Sequence, residues 1–187
     1  MTDIYATCPT LENARFQLRQ LRAEDAGDLL AVYSDKAALP YFNSDNCHGD
    51  IFYYPTPERM AQAVQFWLDS YANRWFVRWA IIDRAADRAI GTIEGFRRGA
   101  DGHFGDVGVL RVDVGSAYEN TDDLAGVLAL IVPPSFDGFD CDEIITKSPA
   151  YAVDRVAALQ RLGFTPAQHT LVGEGGREYG DYWSVHR

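Results

Sequence analysis

The stretch from Trp75 to Val114 constrains the fold more than any other part of the chain. It holds three strand-type runs in close succession: "WFVRWAIID" (Trp75 to Asp83), "AIGTIEGF" (Ala89 to Phe96) and "VGVLRVDV" (Val107 to Val114). The first two are joined only by "RAADR", a hairpin-length connection. Runs this close pair side by side, which commits the chain to a sheet with an antiparallel centre. Segments of helical period stand on both sides. "RAEDAGDLLAVYSD" puts Ala26, Leu29, Leu30 and Tyr33 on one face. A second helix starts at Thr56–Pro57–Glu58, with Thr56 as its cap, Pro57 in the first turn, and Met60, Val64, Trp67, Leu68 and Tyr71 as its apolar stripe.

The remaining elements follow in order. "FQLRQL" (Phe16 to Leu21) alternates as an opening strand. A helix from Leu124 is expected to stop at Pro133–Pro134, because proline lacks the N–H that continues a helix. "DEIITK" reads as a short strand, "YAVDRVAALQRLGF" as a helix capped by Gly163, and "HTLVGE" with "YGDYWSVHR" as a terminal pair. The expected fold class is therefore α/β: a mixed, mostly antiparallel central sheet of about seven strands flanked by about four helices. Without repeats or an internal linker, residues 15–187 are read as one domain behind a loose leader, 1–14.

Charge and cysteine usage narrow the function. The net charge of −10 argues against nucleic acid or an anionic membrane as partner, since both are held by basic patches, and no cluster is denser than Arg97–Arg98. Cys8, Cys47 and Cys141 are too few and too scattered for a disulfide framework or a metal ribbon, which points to a reducing cytoplasm. No apolar run is long enough to span a membrane, and the N-terminus lacks a signal-peptide core.

The order of elements, with "FQLRQLRAEDAGDLLAVYSD", "WAIIDRAADRAIGTIEGF" and "RVAALQRLGF", resembles the GNAT superfamily of acetyl-CoA-dependent N-acetyltransferases, in the branch of the ribosomal-protein alanine acetyltransferases. The resemblance covers residues 15–187 and implies acetyl transfer from acetyl-CoA to a primary amine of a small molecule or peptide. Three groups are then needed: a general base, a backbone N–H to polarise the thioester, and backbone N–H groups to hold the CoA pyrophosphate. Carried over by position, the cofactor residues are Val112 and Val114 of the third strand-type run, then Asn120, Thr121, Leu124 and Ala125 at the strand-to-helix junction.

That junction departs from the family's pattern. It reads "SAYENTDDLAG", without the usual glycines or a basic residue, and carries Glu119, Asp122 and Asp123. A carboxylate about 6 Å from a phosphate costs on the order of 1–3 kcal/mol. The same residues suit plain helix capping, with Thr121 as cap and the two aspartates on the helix dipole. On the last helix, the family's cofactor and acid positions fall on Ala152, Arg155 and Leu159, none of which protonates a thiolate as tyrosine does. A catalytically inactive GNAT-fold binding or regulatory protein is therefore the alternative reading.

Glu94, conspicuous in an apolar strand, is the candidate base, with Asp113 second; either also suits a solvent-facing position. The run "YFNSDNCHGDIFYYP" (Tyr41 to Pro55) is acidic and aromatic. Tyr41, Asp45 and Tyr53 are its candidates for holding a cationic amine, against the plainer reading that these rings pack the loop. Asp45, Cys47, His48 and Asp50 match no metal template, so no metal is assigned. His103, in a glycine-rich loop, reads as a surface residue. A homodimer is the further partner considered.

Overall fold

The three central runs form β3 (Val77–Asp83), β4 (Arg88–Gly99) and β5 (Asp106–Val114), antiparallel to one another. The structure is a computed structural model and describes residues 3–100 and 102–187. Before the three strands come β1 (Leu11–Glu12), β2 (Phe16–Gln20), α1 (Ala26–Tyr33) and α2 (Pro57–Ala72). After them come α3 (Thr121–Phe139), β6 (Glu143–Lys147), α4 (Val153–Arg161), β7 (Thr165–Pro166), β8 (Leu171–Val172), β9 (Glu178–Tyr179) and β10 (Tyr182–His186). Eight strands make one sheet in the order β1-β2-β3-β4-β5-β6-β10-β7, and β8 with β9 makes a separate small hairpin. Among the described residues only β5 and β6 run parallel.

Every residue of β3 is buried, so the sheet is covered on both faces. Alternation along the strand sorts the side chains. Val77, Trp79 and Ile81 join one core with Leu124, Leu128 and Ile131 of α3 and Leu159 of α4. Ala80 and Ile82 join a second core with Leu29 and Tyr33 of α1 and Met60, Val64 and Trp67 of α2. The glycines of "AIGTIEGF" are fixed by close approach. A Cβ on Gly91 would lie 2.2 Å from the carbonyl oxygen of Asp113, and one on Gly95 would lie 2.7 Å from the ring of Phe139.

Local signals explain the helix starts. Thr56 Oγ1 accepts from the Arg59 N–H and Pro57 occupies the first turn of α2. α4 ends before Gly163, whose φ of +83° only glycine adopts freely. Two expectations change. Pro133 and Pro134 do not stop α3, which runs through both to Phe139. The carbonyls deprived of a donor belong to Ala129, which is exposed, and Leu130, which is half-buried, so water can serve them. Residues assigned to a loose leader also pack on the sheet: Ile4 is buried, the Pro9 carbonyl accepts from Trp79 Nε1 at 3.1 Å, and Leu11–Glu12 pairs with β2.

Candidate active site

Sheet register builds a charged row across three strands. Arg78 of β3 stands opposite Glu94 of β4, and Glu94 stands opposite Arg111 of β5. Alternation puts all three on the α1–α2 face. Glu94 Oε2 accepts from Arg78 Nη2, and Oε1 accepts from Arg111 Nη1 at 2.8 Å. Arg78 lies over the ring of Trp67, 3.9 Å from its centre. One pair further along, Asp113 Oδ2 accepts from the Tyr33 hydroxyl at 3.0 Å, and Tyr33 and Thr92 are bonded at 2.7 Å.

Glu94 and Arg111 of this row are the floor of a cavity of about 590 Å³, in the range of small-molecule sites. Its walls come from α2 (Arg59, Phe66, Trp67), from Phe76 and Phe96 at the strands, and from the loop after α1 (Cys47, Asp50, Phe52, Tyr54). Burial pushes the Glu94 pKa up, but the charges of Arg78 and Arg111 outweigh it and hold the carboxyl below its ordinary value. Asp113 goes the other way: burial raises its pKa, and Arg78 and Arg155 only partly offset it. Asp113 has the better pKa for a base but is fully buried and lines no described cavity. Glu94 reaches the cavity, but both its oxygens are engaged. Burial likewise raises the Cys47 thiol, which accepts from Arg111 Nη1 at 3.2 Å.

On the other face, β5 and β6 pair only from Gly108↔Ile144 to Leu110↔Thr146. Beyond Leu110 the strands part, and Arg111 to Val114 have no strand on that side. Here a GNAT resemblance places the cofactor. The gap between Val112, Leu124, Leu128, Thr146, Lys147, Arg155 and Leu159 encloses only about 10 Å³. That is about the volume one water needs. Arg155 closes it. Its guanidinium, 6% exposed, meets the Glu119 carboxylate, 6% exposed, through Nε and, at 2.9 Å, through Nη2.

Two of the junction's N–H groups, those of Thr121 and Asp123, are taken by side chains. Asn120, not Thr121, is the cap of α3: its Oδ1 accepts from the Asp123 N–H at 3.0 Å. Asp154 of α4 reaches across and accepts from the Thr121 N–H at 3.3 Å and from its hydroxyl at 2.6 Å. A carboxylate thus sits at the helix N-terminus, where the dipole and free N–H groups would otherwise hold a phosphate. The acidic residues are matched by arginines distant in sequence: Glu119 by Arg155, Asp122 by Arg161 at 2.7 Å, and Asp123 by Arg15 at 2.6 Å. As arranged, these residues do not fit a CoA pyrophosphate, and the gap does not admit a pantetheine arm.

The other residues singled out in the sequence are dispersed. Leu124 lines the gap and Ala125 is buried in the α3 core. Tyr41 and Asp45 line a smaller cavity of about 190 Å³, where Asp45 pairs with Lys147 at 2.7 Å and accepts from the Tyr182 hydroxyl at 3.2 Å. Tyr53 lies in neither cavity. The same loop reaches the large cavity through Cys47, Asp50, Phe52 and Tyr54 instead. His103 stacks on His169, ring centres 3.5 Å apart, at a third pocket of about 230 Å³. Among the described residues no group of three His, Cys, Asp or Glu could hold a metal, and no helix is long and apolar enough to cross a membrane. The arginines were missed by sequence reasoning. Their signal was a single charge inside an apolar strand, at Arg78 and Arg111 as at Glu94.

A mostly antiparallel sheet whose one parallel pair parts midway, helices on both faces and a ligand-sized cavity beside the parting define an acetyltransferase-type α/β domain. Residues 15–121 match the family model of the acetyltransferase (GNAT) domain, and the chain belongs to that family. Among solved structures it is similar to a ribosomal-protein-S5-alanine acetyltransferase from Vibrio fischeri: 17% identity, TM-score 0.68, covering 95% of this chain and 96% of that one. It is also similar to a GNAT-family acetyltransferase from Bacillus anthracis: 12% identity, TM-score 0.67, covering 95% and 98%. At these identities the likeness is one of fold. No curated protein matches the chain.

Proposed function

We propose that this protein is an acetyl-CoA-dependent N-acetyltransferase for a small-molecule amine, with the acceptor in the 590 Å³ cavity and a donor cleft latched by Glu119 and Arg155. Family membership supplies the reaction class. The observation that carries the reading is the free edge of β5 from Arg111 to Val114, one strand-width from the cavity floor. Val112 and Val114 stand on that edge, and Asn120, Thr121, Leu124 and Ala125 flank it. Glu94 stays in this reading as a positioning residue: with its pKa held down it organises Arg78 and Arg111 instead of taking a proton. The three cysteines, all unpaired, suit a reducing compartment such as the cytoplasm.

A second reading is favoured by one observation, the Asp154 carboxylate on the Thr121 N–H group beside a gap of about 10 Å³. In it the protein binds its cavity ligand and transfers nothing. Acetyl-CoA titration separates the two. The variant Glu119→Gln/Arg155→Met removes both partners of the latch at once, so that no buried charge is left unpaired. On the transferase reading, acetyl-CoA raises the melting temperature of the wild type and raises that of the variant further. A ligand at about a hundred times its Kd adds about 2.7 kcal/mol, or about 5–10 °C here. If neither protein responds at millimolar acetyl-CoA while cavity ligands still bind, the transferase reading is overturned.

A further inference from the structure

The large cavity, which Tyr41, Asp45 and Tyr53 do not line, offers donors more readily than acceptors. Its charged lining is His48, Asp50, Arg59, Glu94 and Arg111, with Arg78 directly behind Glu94. Both carboxylates are fully engaged. Asp50 Oδ1 accepts from the Phe52 N–H at 2.8 Å, and Oδ2 accepts from the Tyr54 hydroxyl at 3.0 Å and Arg59 Nη2 at 2.9 Å. Glu94 is held by two guanidiniums. His48 turns to Glu174, at 3.7 Å, which is not part of the lining. Arg78 also faces Asp113, at 3.7 Å, so the three arginines meet three carboxylates, and what selects a ligand is which donors and acceptors stay open.

Donors, in contrast, are spare. Among the described residues the Arg59 guanidinium bonds only through Nη2, and 42% of its side chain is exposed. Arg111 has none to offer: Nη1 and Nη2 are engaged by Glu94, Cys47 and the Asp45 carbonyl, and its unpartnered Nε is buried. Three of the rings already carry a cation of the protein's own. Arg78 covers Trp67, Arg59 lies 4.4 Å over Tyr54, and Arg111 lies 5.4 Å over Phe96. What remains uncovered is apolar: Phe66 and Trp75 line the cavity at 53% and 61% exposure, and Phe66 meets Phe76 at 6.3 Å.

We infer that this cavity binds an aromatic carboxylate, its ring among Phe66, Trp75 and Phe76 and its carboxylate on the Arg59 guanidinium. An aromatic α-amino acid is the form that also carries an amine to acetylate. Only that last step rests on the transferase reading; binding of the acid does not.

The test is a ligand series on the unmodified protein: phenylpropionate, L-phenylalanine and phenethylamine, followed by calorimetry and by the emission of Trp67 and Trp75. Phenylpropionate and phenylalanine bind, and phenethylamine binds at least about tenfold more weakly, a difference of about 1.4 kcal/mol. Arg59→Met, at a half-exposed position outside the buried row, weakens phenylpropionate about tenfold and does not weaken phenethylamine, since it frees Asp50 Oδ2 from that guanidinium; a melting curve confirms its fold. The inference is overturned if phenethylamine binds as tightly as the acids, if neither acid binds at millimolar concentration, or if Arg59→Met changes nothing. Acid binding without any response to acetyl-CoA leaves it standing and removes only the transferase.

Discussion

Glu94 and Asp113 are two buried carboxyls on one face of the sheet, yet their environments push them in opposite directions. Glu94 has a folded pKa below its ordinary 4.5, so its stabilisation is present above that pH and is lost as pH falls through the folded value. Asp113 has a folded pKa above its ordinary 3.8, so the stability it adds is present below that pH and is lost as pH rises through the folded value. At neutral pH, Glu94→Gln leaves two buried guanidiniums without their carboxylate and costs about 3–5 kcal/mol. Asp113→Asn keeps an oxygen for the Tyr33 hydroxyl and costs less than about 1 kcal/mol. Urea unfolding at neutral pH measures both, and equal losses would contradict the assignment. Glu94→Gln also loses the part of the acid sensitivity below pH 4.5 that Glu94 carries. The sequence showed Glu94 as odd but not why. An acid in an apolar strand asks for a base in the neighbouring strands, and Arg78 and Arg111 were there to be paired. Choosing between them and solvent needed the register, which no local pattern supplies.

At the scale of elements, position was legible and partnership was not. "SAYENTDDLAG" lies at the strand-to-helix junction, as its order implied. Its acidity looked uncompensated because the compensating arginines lie 36 to 108 residues away in the chain. Glu119 and Arg155 form a buried pair that joins the α3 junction to α4, so their energies are coupled. Glu119→Gln alone strands the Arg155 charge and costs about 3–5 kcal/mol, whereas the double change with Arg155→Met costs less than the single one. A double-mutant cycle by thermal unfolding reads this directly, and additive losses would refute the latch. The prolines of α3 were misjudged for a different reason. Proline removes one backbone bond, which ends a helix only where packing does not hold the next turn. Here Ile131, Val132, Ser135, Phe136 and Phe139 are all buried on one side, and that anchoring carries the helix across the gap. Pro133 itself is exposed. Pro133→Ala should therefore raise stability by about 2 kcal/mol: the interior bond regained, less the stiffness lost from the unfolded chain. A fall in the melting temperature would show instead that the core needs the bend.

For the whole molecule, the sheet is two sheets joined at one short seam. β1 to β5 are antiparallel throughout, β6, β10 and β7 form a second antiparallel set, and only the three residue pairs Gly108↔Ile144, Val109↔Ile145 and Leu110↔Thr146 connect them. The fold class could be read from the order of elements, but the length of this seam could not, because β5 continues in the same apolar alternation after its partner has left. The cavity lies on one face of the sheet and the closed gap at the seam's end, so β5 serves both. Its backbone makes the consequence measurable. The Gly115 N–H bonds to Ile90 across β4, so by antiparallel alternation Arg111 and Asp113 also bond toward β4, while Val112 and Val114 point their N–H groups into the gap. These two buried residues of a central strand should exchange their amide hydrogens like an edge, markedly faster than Val109, Arg111 and Asp113. A cavity ligand on the opposite face leaves that contrast in place. A donor that entered the gap would bond those N–H groups and abolish it. Hydrogen exchange at Val112 and Val114, with acetyl-CoA and with phenylpropionate in turn, therefore tests both proposed sites through one strand, and uniform slow exchange along β5 in the free protein would show that the seam does not open there at all.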